Sequence, residues 1–311
     1  REFAMISDKG AAKEALGIPA DCKIIGTVMR NQRRKLFPTL FEGFGKYLKR
    51  TGDKKTYLHC HTSYPDGGWD FAELLHRNDI SSRVFFTYIC NKPDCASVEI
   101  AKFNDARKSC SSCRDFSSTQ THVNNGVEDD ILAKIYNMYD LYIQCANCEG
   151  FGLPQVEAAA CGVPVACTNY SAMEDVVKNL GAYPIEVQSL YKELETGCER
   201  AVPSVDSIVK IFEDFFSLNF TEMNQKRIET RKLFEKKPPI NSKTGLPMTL
   251  KEFTDLGRSQ KNKLLRRLEG KESTRPWAER QGWYPEKQAN KLMTYLKHAA
   301  KKQEKLPFKE R

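Results

Sequence analysis

Residues 140–168 read DLYIQCANCEGFGLPQVEAAACGVPVACT. The apolar run Leu141–Cys145 is short and bounded by polar residues, which predicts a buried strand. Gly150 and Gly152 mark a turn where the backbone comes close to a ligand or takes a positive φ. Pro154 suits the first turn of a helix, where its missing N–H costs nothing, so a helix is expected over 154–161. Gly162-Val163-Pro164 stops it, and a second strand follows to Thr168. A strand, turn, helix and strand in this order form the unit of an open parallel sheet. In such sheets ligands lie beyond the carboxyl ends of the strands, and a helix start favours an anion such as phosphate. Glu149 precedes the helix and Glu157 lies about one turn inside it, so both are expected to face one crevice.

Strands are expected at 23–29, 56–60, 83–89, 119–123, 141–145, 164–168 and 183–187. Helices are expected at 8–18, 36–48, 71–75, 128–139, 154–161, 172–180 and, as one or two pieces, 205–234. Strands and helices alternate through 1–235, which predicts an α/β fold with a Rossmann-like parallel sheet covered by helices on both faces. A boundary is expected near 236, where the composition turns basic and polar with Pro238, Pro239 and Pro247; beyond it, 250–269 and 285–302 read as helical.

Glu149 and Glu157, eight positions apart within EGFGLPQVEAAACGVPV, resemble the E-x7-E motif of retaining GT-B glycosyltransferases of the group 1 (family four) type. A second block agrees: Ile24-Ile25-Gly26-Thr27-Val28-Met29-Arg30, with Lys35 five positions after Arg30, is similar to the strand, Arg and Lys that hold the donor diphosphate in that family. Leu36 follows the Lys where the family often has Gly, and Arg33 and Arg34 compete with Lys35 for the phosphate. The resemblance covers roughly 1–235. It implies a GT-B C-terminal, nucleotide-sugar-binding domain that transfers a sugar with retention of configuration. The residues it marks as catalytic are Glu149, on the donor sugar, and Arg30 and Lys35, on the diphosphate. It places Glu157 on the ribose and Gly150, Phe151, Gly152 and Leu153 around the donor. It implies no catalytic metal, because the basic residues replace it. Residues 1–20 resemble the linker into such a domain, and the sequence starts without an initiator Met, so a piece of a longer protein is expected. Stand-alone activity is in doubt without an acceptor domain; the acceptor (a saccharide, a lipid-linked group or a protein) is not legible.

The chain has eleven cysteines. Cys90-x4-Cys95 and Cys110-x2-Cys113 bracket a loop, as tetrahedral Zn²⁺ requires. A small structural zinc knuckle is therefore expected within an insert at 90–116. Cys145 and Cys148 are open to three readings: a redox pair, metal ligands, or small apolar residues beside the turn. His59 and His61 share a strand face, but no nearby residue completes a metal set.

The net charge is +9. Residues 236–311 hold 20 Lys/Arg against eight Asp/Glu, whereas 1–235 hold 29 against 32. The basic character therefore belongs to the extension, which reads equally as a solvated helical face or as a surface for an anionic partner. No apolar run reaches the ~18–20 residues of a membrane span and no signal pattern is present. A cytoplasmic chain with thiols in place of disulfides is expected, membrane-peripheral if the tail meets a lipid surface. Two rivals to the enzyme remain: a non-catalytic nucleotide-sugar-binding module, and a nucleic-acid-binding protein built on the knuckle and the tail. The second lacks a reading helix or aromatic platform; Trp277, Trp283 and Tyr284 fit packing better.

Overall fold

The structure, a computed structural model, describes residues 3–236. The helices expected at 250–269 and 285–302, and Trp277, Trp283 and Tyr284, lie outside the described residues. In chain order the elements are α1 (Lys9–Glu14), β1 (Lys23–Val28), α2 (Phe37–Thr51), β2 (Thr56–His61), α3 (Phe71–Arg77), β3 (Val84–Cys90), β4 (Val98–Lys102), β5 (Ser118–Gln120) and α4 (Asp129–Met138). There follow β6 (Leu141–Gln144), α5 (Leu153–Ala160), β7 (Val165–Thr168), α6 (Met173–Leu180), β8 (Tyr183–Ile185), β9 (Val187–Lys192), β10 (Glu199–Pro203), α7 (Val205–Phe216) and α8 (Phe220–Lys236).

The main sheet runs β4-β3-β2-β1-β6-β7-β8. Strands β3, β2, β1, β6, β7 and β8 are parallel. The chain leaves β1 outward through β2 and β3, then returns to place β6 beside β1, with Ile25 opposite Leu141 and Gly26 opposite Tyr142. That reversal opens a crevice at the carboxyl ends of β1 and β6, where the connections diverge to opposite faces.

Alternation along the strands sorts the core. Ile25, Leu58, Cys60, Phe86, Leu141 and Ile143 join Phe37, Phe41, Phe44, Phe71 and Phe212 of α2, α3 and α7 on one face. Ile24, Tyr142, Val165 and Cys167 join Tyr136, Tyr139, Ala158 and Met173, from or beside α4, α5 and α6, on the other. At the opposite end of β6, buried Asp140 accepts from the Ile24 N–H at 2.7 Å and pairs with Lys13 at 2.8 Å, which ties α1 to the sheet.

Two expectations need correction. The strand expected at 119–123 is shorter, Ser118–Gln120, and runs antiparallel to β3, as does β4. Only residues 91–97 connect β3 to β4, too few for the crossover that a parallel neighbour requires. The strand expected at 183–187 ends at Ile185, and Val187 begins an antiparallel hairpin, β9–β10, outside the main sheet. Most of β9 is exposed, so it carries little of the hydrophobic alternation that betrays a strand.

Gly26 sits where a Cβ would meet the Tyr139 ring at 2.2 Å. The ring lies against the strand and its hydroxyl bonds His59 Nδ1 at 2.7 Å, so it has little room to retreat. Gly26→Ala is expected to destabilise the protein by about 1–3 kcal/mol through overpacking, read as a lower urea midpoint with an unchanged slope.

Candidate active site

The residues after β1 and after β6 meet at the reversal. Arg33–Lys35 form a single 3-10 turn leading into α2. Asn147, just past β6, donates its N–H to the Arg34 carbonyl at 3.0 Å and clips the two loops together. Its carbonyl in turn accepts from Ala201 N–H of β10, so the hairpin braces the same loop.

Glu149 is the centre of this cluster. Its Oε1 contacts Lys35 Nζ, and its Oε2 lies 3.2 Å from Arg34 Nη1. Gln144 Nε2 donates to Oε1 at 2.6 Å. The Glu149 peptide is clasped by Ser171, whose Oγ accepts from its N–H at 3.0 Å and donates to its carbonyl at 3.3 Å. Ser171 adopts φ 58°, an uncommon conformation for a residue other than glycine. Lys35 is buried, and burial lowers its pKa against the opposing pull of Glu149.

The resemblance marks Arg30 for the donor diphosphate. The structure instead pairs Arg30 with Asp66, Nε to Oδ2 at 3.0 Å and Nη2 to Oδ1 at 3.1 Å, in the loop after β2. Arg34 takes the place at Glu149. The 3-10 turn Arg33–Lys35 sets which of the nearby cations reaches Glu149, and no sequence pattern distinguishes them.

Glu157 lies on α5, mostly buried, and accepts from the Tyr136 hydroxyl at 2.8 Å. Burial raises the pKa of Tyr142, with Glu149 and Glu157 both adding to the rise, and its hydroxyl is 2.7 Å from Gln144 Oε1. Tyr136, Tyr142, Gln144 and Ser171 escaped the sequence reading; the two tyrosines and Gln144 looked like ordinary core or strand residues. Gly152 caps α5 at φ 84°, a conformation that calls for glycine, and a Cβ there would meet the end of the Gln155 side chain, Oε1 at 2.4 Å. Gly150 has no positive φ, and a Cβ on it would meet nothing within 4 Å. Leu153 opens α5 directly after Gly152, with the partly buried Phe151 on the other side of that cap.

Cys90, Cys95, Cys110 and Cys113 come together, their four Sγ atoms all within 4.8 Å of one another. The close pairs cross the two sequence motifs: Cys90–Cys113 and Cys95–Cys110, each at 3.7 Å. Four sulfurs about 2.3 Å from one tetrahedral Zn²⁺ lie roughly 3.8 Å apart, so the set fits such an ion. Ser117 and Ser97 hydroxyls sit 3.1 Å from Cys90 Sγ and 3.0 Å from Cys110 Sγ. Cys145 is buried, whereas Cys148 Sγ contacts Arg200 Nη1 at 2.6 Å, so the two are not partners. His59 and His61 share the Thr87 hydroxyl inside the sheet, and burial lowers the pKa of both. Among the described residues no helix is long and apolar enough to cross a membrane.

Comparison with known proteins agrees with this architecture. The family model described as "Glycosyl transferases group 1" matches residues 116–230. The O-antigen chain mannosyltransferase B of Escherichia coli is 38% identical over 66 residues, 21% of this chain and 17% of that protein. The matched stretch is thus a small part of the relative's length. The C-terminal domain of a glycosyl transferase group 1 family protein (LpcC) from Francisella tularensis has a TM-score of 0.50 at 16% identity, covering 76% of this chain and 95% of that one. Sucrose-phosphate synthase from Thermosynechococcus elongatus also reaches 0.50 at 17% identity, covering 86% of this chain and 50% of that one. The fold is that of the GT-B glycosyltransferases, and the group 1 family model matches the chain over residues 116–230.

Burial raises the pKa of Glu157, and the Tyr136 hydrogen bond only partly offsets this. A carboxyl whose folded pKa exceeds its unfolded one costs stability as the pH rises past the unfolded value, because the unfolded chain releases its proton first. The cost is absent when both states are protonated and complete above the folded pKa. Glu157→Gln is therefore expected to raise the Tm at about pH 8 and to leave it nearly unchanged at about pH 3, where an ordinary Glu is already protonated; paired calorimetric scans at the two pH values check this.

Proposed function

We propose that residues 1–235 form the nucleotide-sugar domain of a retaining glycosyltransferase and that 236–311 form a basic extension to it. The observation that carries the reading is the convergence of Lys35 and Arg34 on Glu149 at the β1/β6 reversal, beside the start of α5. A cation pair next to a helix start suits a diphosphate. Glu149, aimed into the same place, suits the hydroxyls of the attached sugar. Glu157, oriented by Tyr136, suits the ribose. Arg30 joins the diphosphate by exchanging Asp66 for it, and the backbone from Gly150 through Phe151 and Gly152 to Leu153 lines the approach.

In the transfer, the bond between the anomeric carbon and the phosphate oxygen breaks, with its electron pair remaining on the phosphate. The acceptor hydroxyl oxygen takes its place on the same face of the carbon, and its proton goes to the released diphosphate. Negative charge grows on the leaving oxygen, so fixed cations stabilise the transition state more than the ground state. The acceptor is a saccharide, lipid-linked group or protein. The name of the Escherichia coli relative makes mannose the first sugar to test.

Thermal-shift titration with GDP-mannose, UDP-glucose and ADP-glucose is the direct test. At least one should stabilise the wild type. Lys35→Ala should abolish most of that shift, and Arg34→Ala should reduce it. In turnover, loss of Lys35 should cost about 2.7–4 kcal/mol, the range for one oriented charge at such a site. A wild type that none of the three stabilises overturns the reading.

Cys90, Cys95, Cys110 and Cys113 hold a structural Zn²⁺ in the same proposal; four thiolates leave no open position, so the ion has a folding role. The purified protein is expected to carry one zinc per chain by elemental analysis. Cys95→Ser and Cys110→Ser should each lose the metal and lower the Tm, and a metal-free wild type with an unchanged Tm rules the site out.

A further inference from the structure

We propose that Gln144 is a positioning residue for Glu149, held in its one useful orientation by Tyr142. The proposal rests on the donor-site reading above. Gln144 is the last residue of β6 and is fully buried. Its amide nitrogen lies 2.6 Å from Glu149 Oε1 and its amide oxygen 2.7 Å from the Tyr142 hydroxyl. The opposite amide orientation would set two acceptors face to face at 2.6 Å. The nitrogen therefore faces the carboxylate, and the oxygen needs a donor behind it. Tyr142 supplies that donor. Its hydroxyl is closer to Gln144 than to its other acceptor, the Val28 carbonyl at 3.3 Å.

The donors around Glu149 differ in kind. Lys35 and Arg34 are cations, and an arriving diphosphate competes for them. Arg34 is also 44% exposed. Gln144 is neutral and enclosed, and a phosphate does not attract it away. It is the donor that keeps the Glu149 carboxylate aimed while the cations turn toward the leaving group. Ser171 fixes the Glu149 peptide, and Gln144 is the neutral donor on its carboxylate. A misplacement of about 1 Å at a reacting centre can cost roughly 100-fold in rate.

The test has a ligand-free arm and a kinetic arm. In the first, the Glu149 carboxyl is titrated by carbon NMR in the wild type and in Gln144→Leu, its signal assigned with Glu149→Gln. Loss of a donor to the charged form should raise the titration midpoint; an unchanged midpoint overturns the proposal whatever the protein's activity. In the second, hydrolysis of GDP-mannose and UDP-glucose by the full chain is followed. Gln144→Leu should lower kcat by about 10–100-fold, as a loss of aim predicts, with KM changed by less than about threefold. Gln144→Glu should regain part of the activity at low pH, where its added carboxyl carries a proton to donate, and lose it as the pH rises. Equal loss in both variants at every pH indicates a packing role and overturns the proposal. If Gln144→Leu does not fold, Tyr142→Phe carries both arms, because it removes only the hydroxyl that orients the amide. A wild type that neither binds nor hydrolyses a nucleotide sugar overturns the donor-site reading alone, and the titration still decides the role of Gln144.

Discussion

The parallel pairing of β1 with β6 is the constraint on which the site depends. Sequence neighbours do not bring residues 30–35 and 149 together; more than a hundred residues separate them. They meet because β6 returns to lie beside β1 after the chain has built β2 and β3 on the other side. The loops that leave these two strands then flank one opening. Gly26 makes the close packing at this pairing feasible, since Tyr139 lies against its bare backbone. Asp140 secures the lower end of the same pair by accepting from the Ile24 N–H and by pairing with Lys13.

Inside the opening two cations, Lys35 and Arg34, share one carboxylate, that of Glu149. A buried lysine is costly to keep ionised, and the Glu149 carboxylate compensates. The carboxylate holds both side chains at the opening. Arg30 shows the same device with Asp66 at the neighbouring loop. Each of the two sites thus pairs its cations with an acid of the protein itself. The buried polar groups Gln144, Tyr142 and Tyr136 supply direction without charge, which is why they sit beneath the ionic layer and not within it.

The cysteine insert is mechanically continuous with this region. It grows from the carboxyl end of β3, and its return strand reaches the loop after β2 through Thr121. The Thr121 hydroxyl donates to the Thr62 carbonyl at 2.7 Å, and its own carbonyl accepts from Tyr64 N–H at 3.1 Å. That loop carries Asp66, the partner of Arg30. Order at the four sulfurs therefore bears on the loop that holds Arg30.

Much of this was legible in the linear chain. The alternation of apolar strands and amphipathic helices, the Gly-Pro punctuation around 150–164 and the two acids eight positions apart defined the parallel α/β fold and its crevice, because burial periodicity and turn chemistry are local properties. The four cysteines were legible for the same reason, since a metal demands ligand types at short spacings. Other features were not local. Arg34 reaches Glu149 while Arg30 pairs with Asp66 in the neighbouring loop. Gln144, Tyr142, Tyr136 and Ser171 carry no motif, and the hairpin at 187–203 shows too little apolar patterning to announce itself. Their roles depend on which atoms face one another across strands and loops distant in the chain. Only the tertiary structure decides that, because a hydrogen bond is specified by direction and distance in space, whereas a sequence records only order.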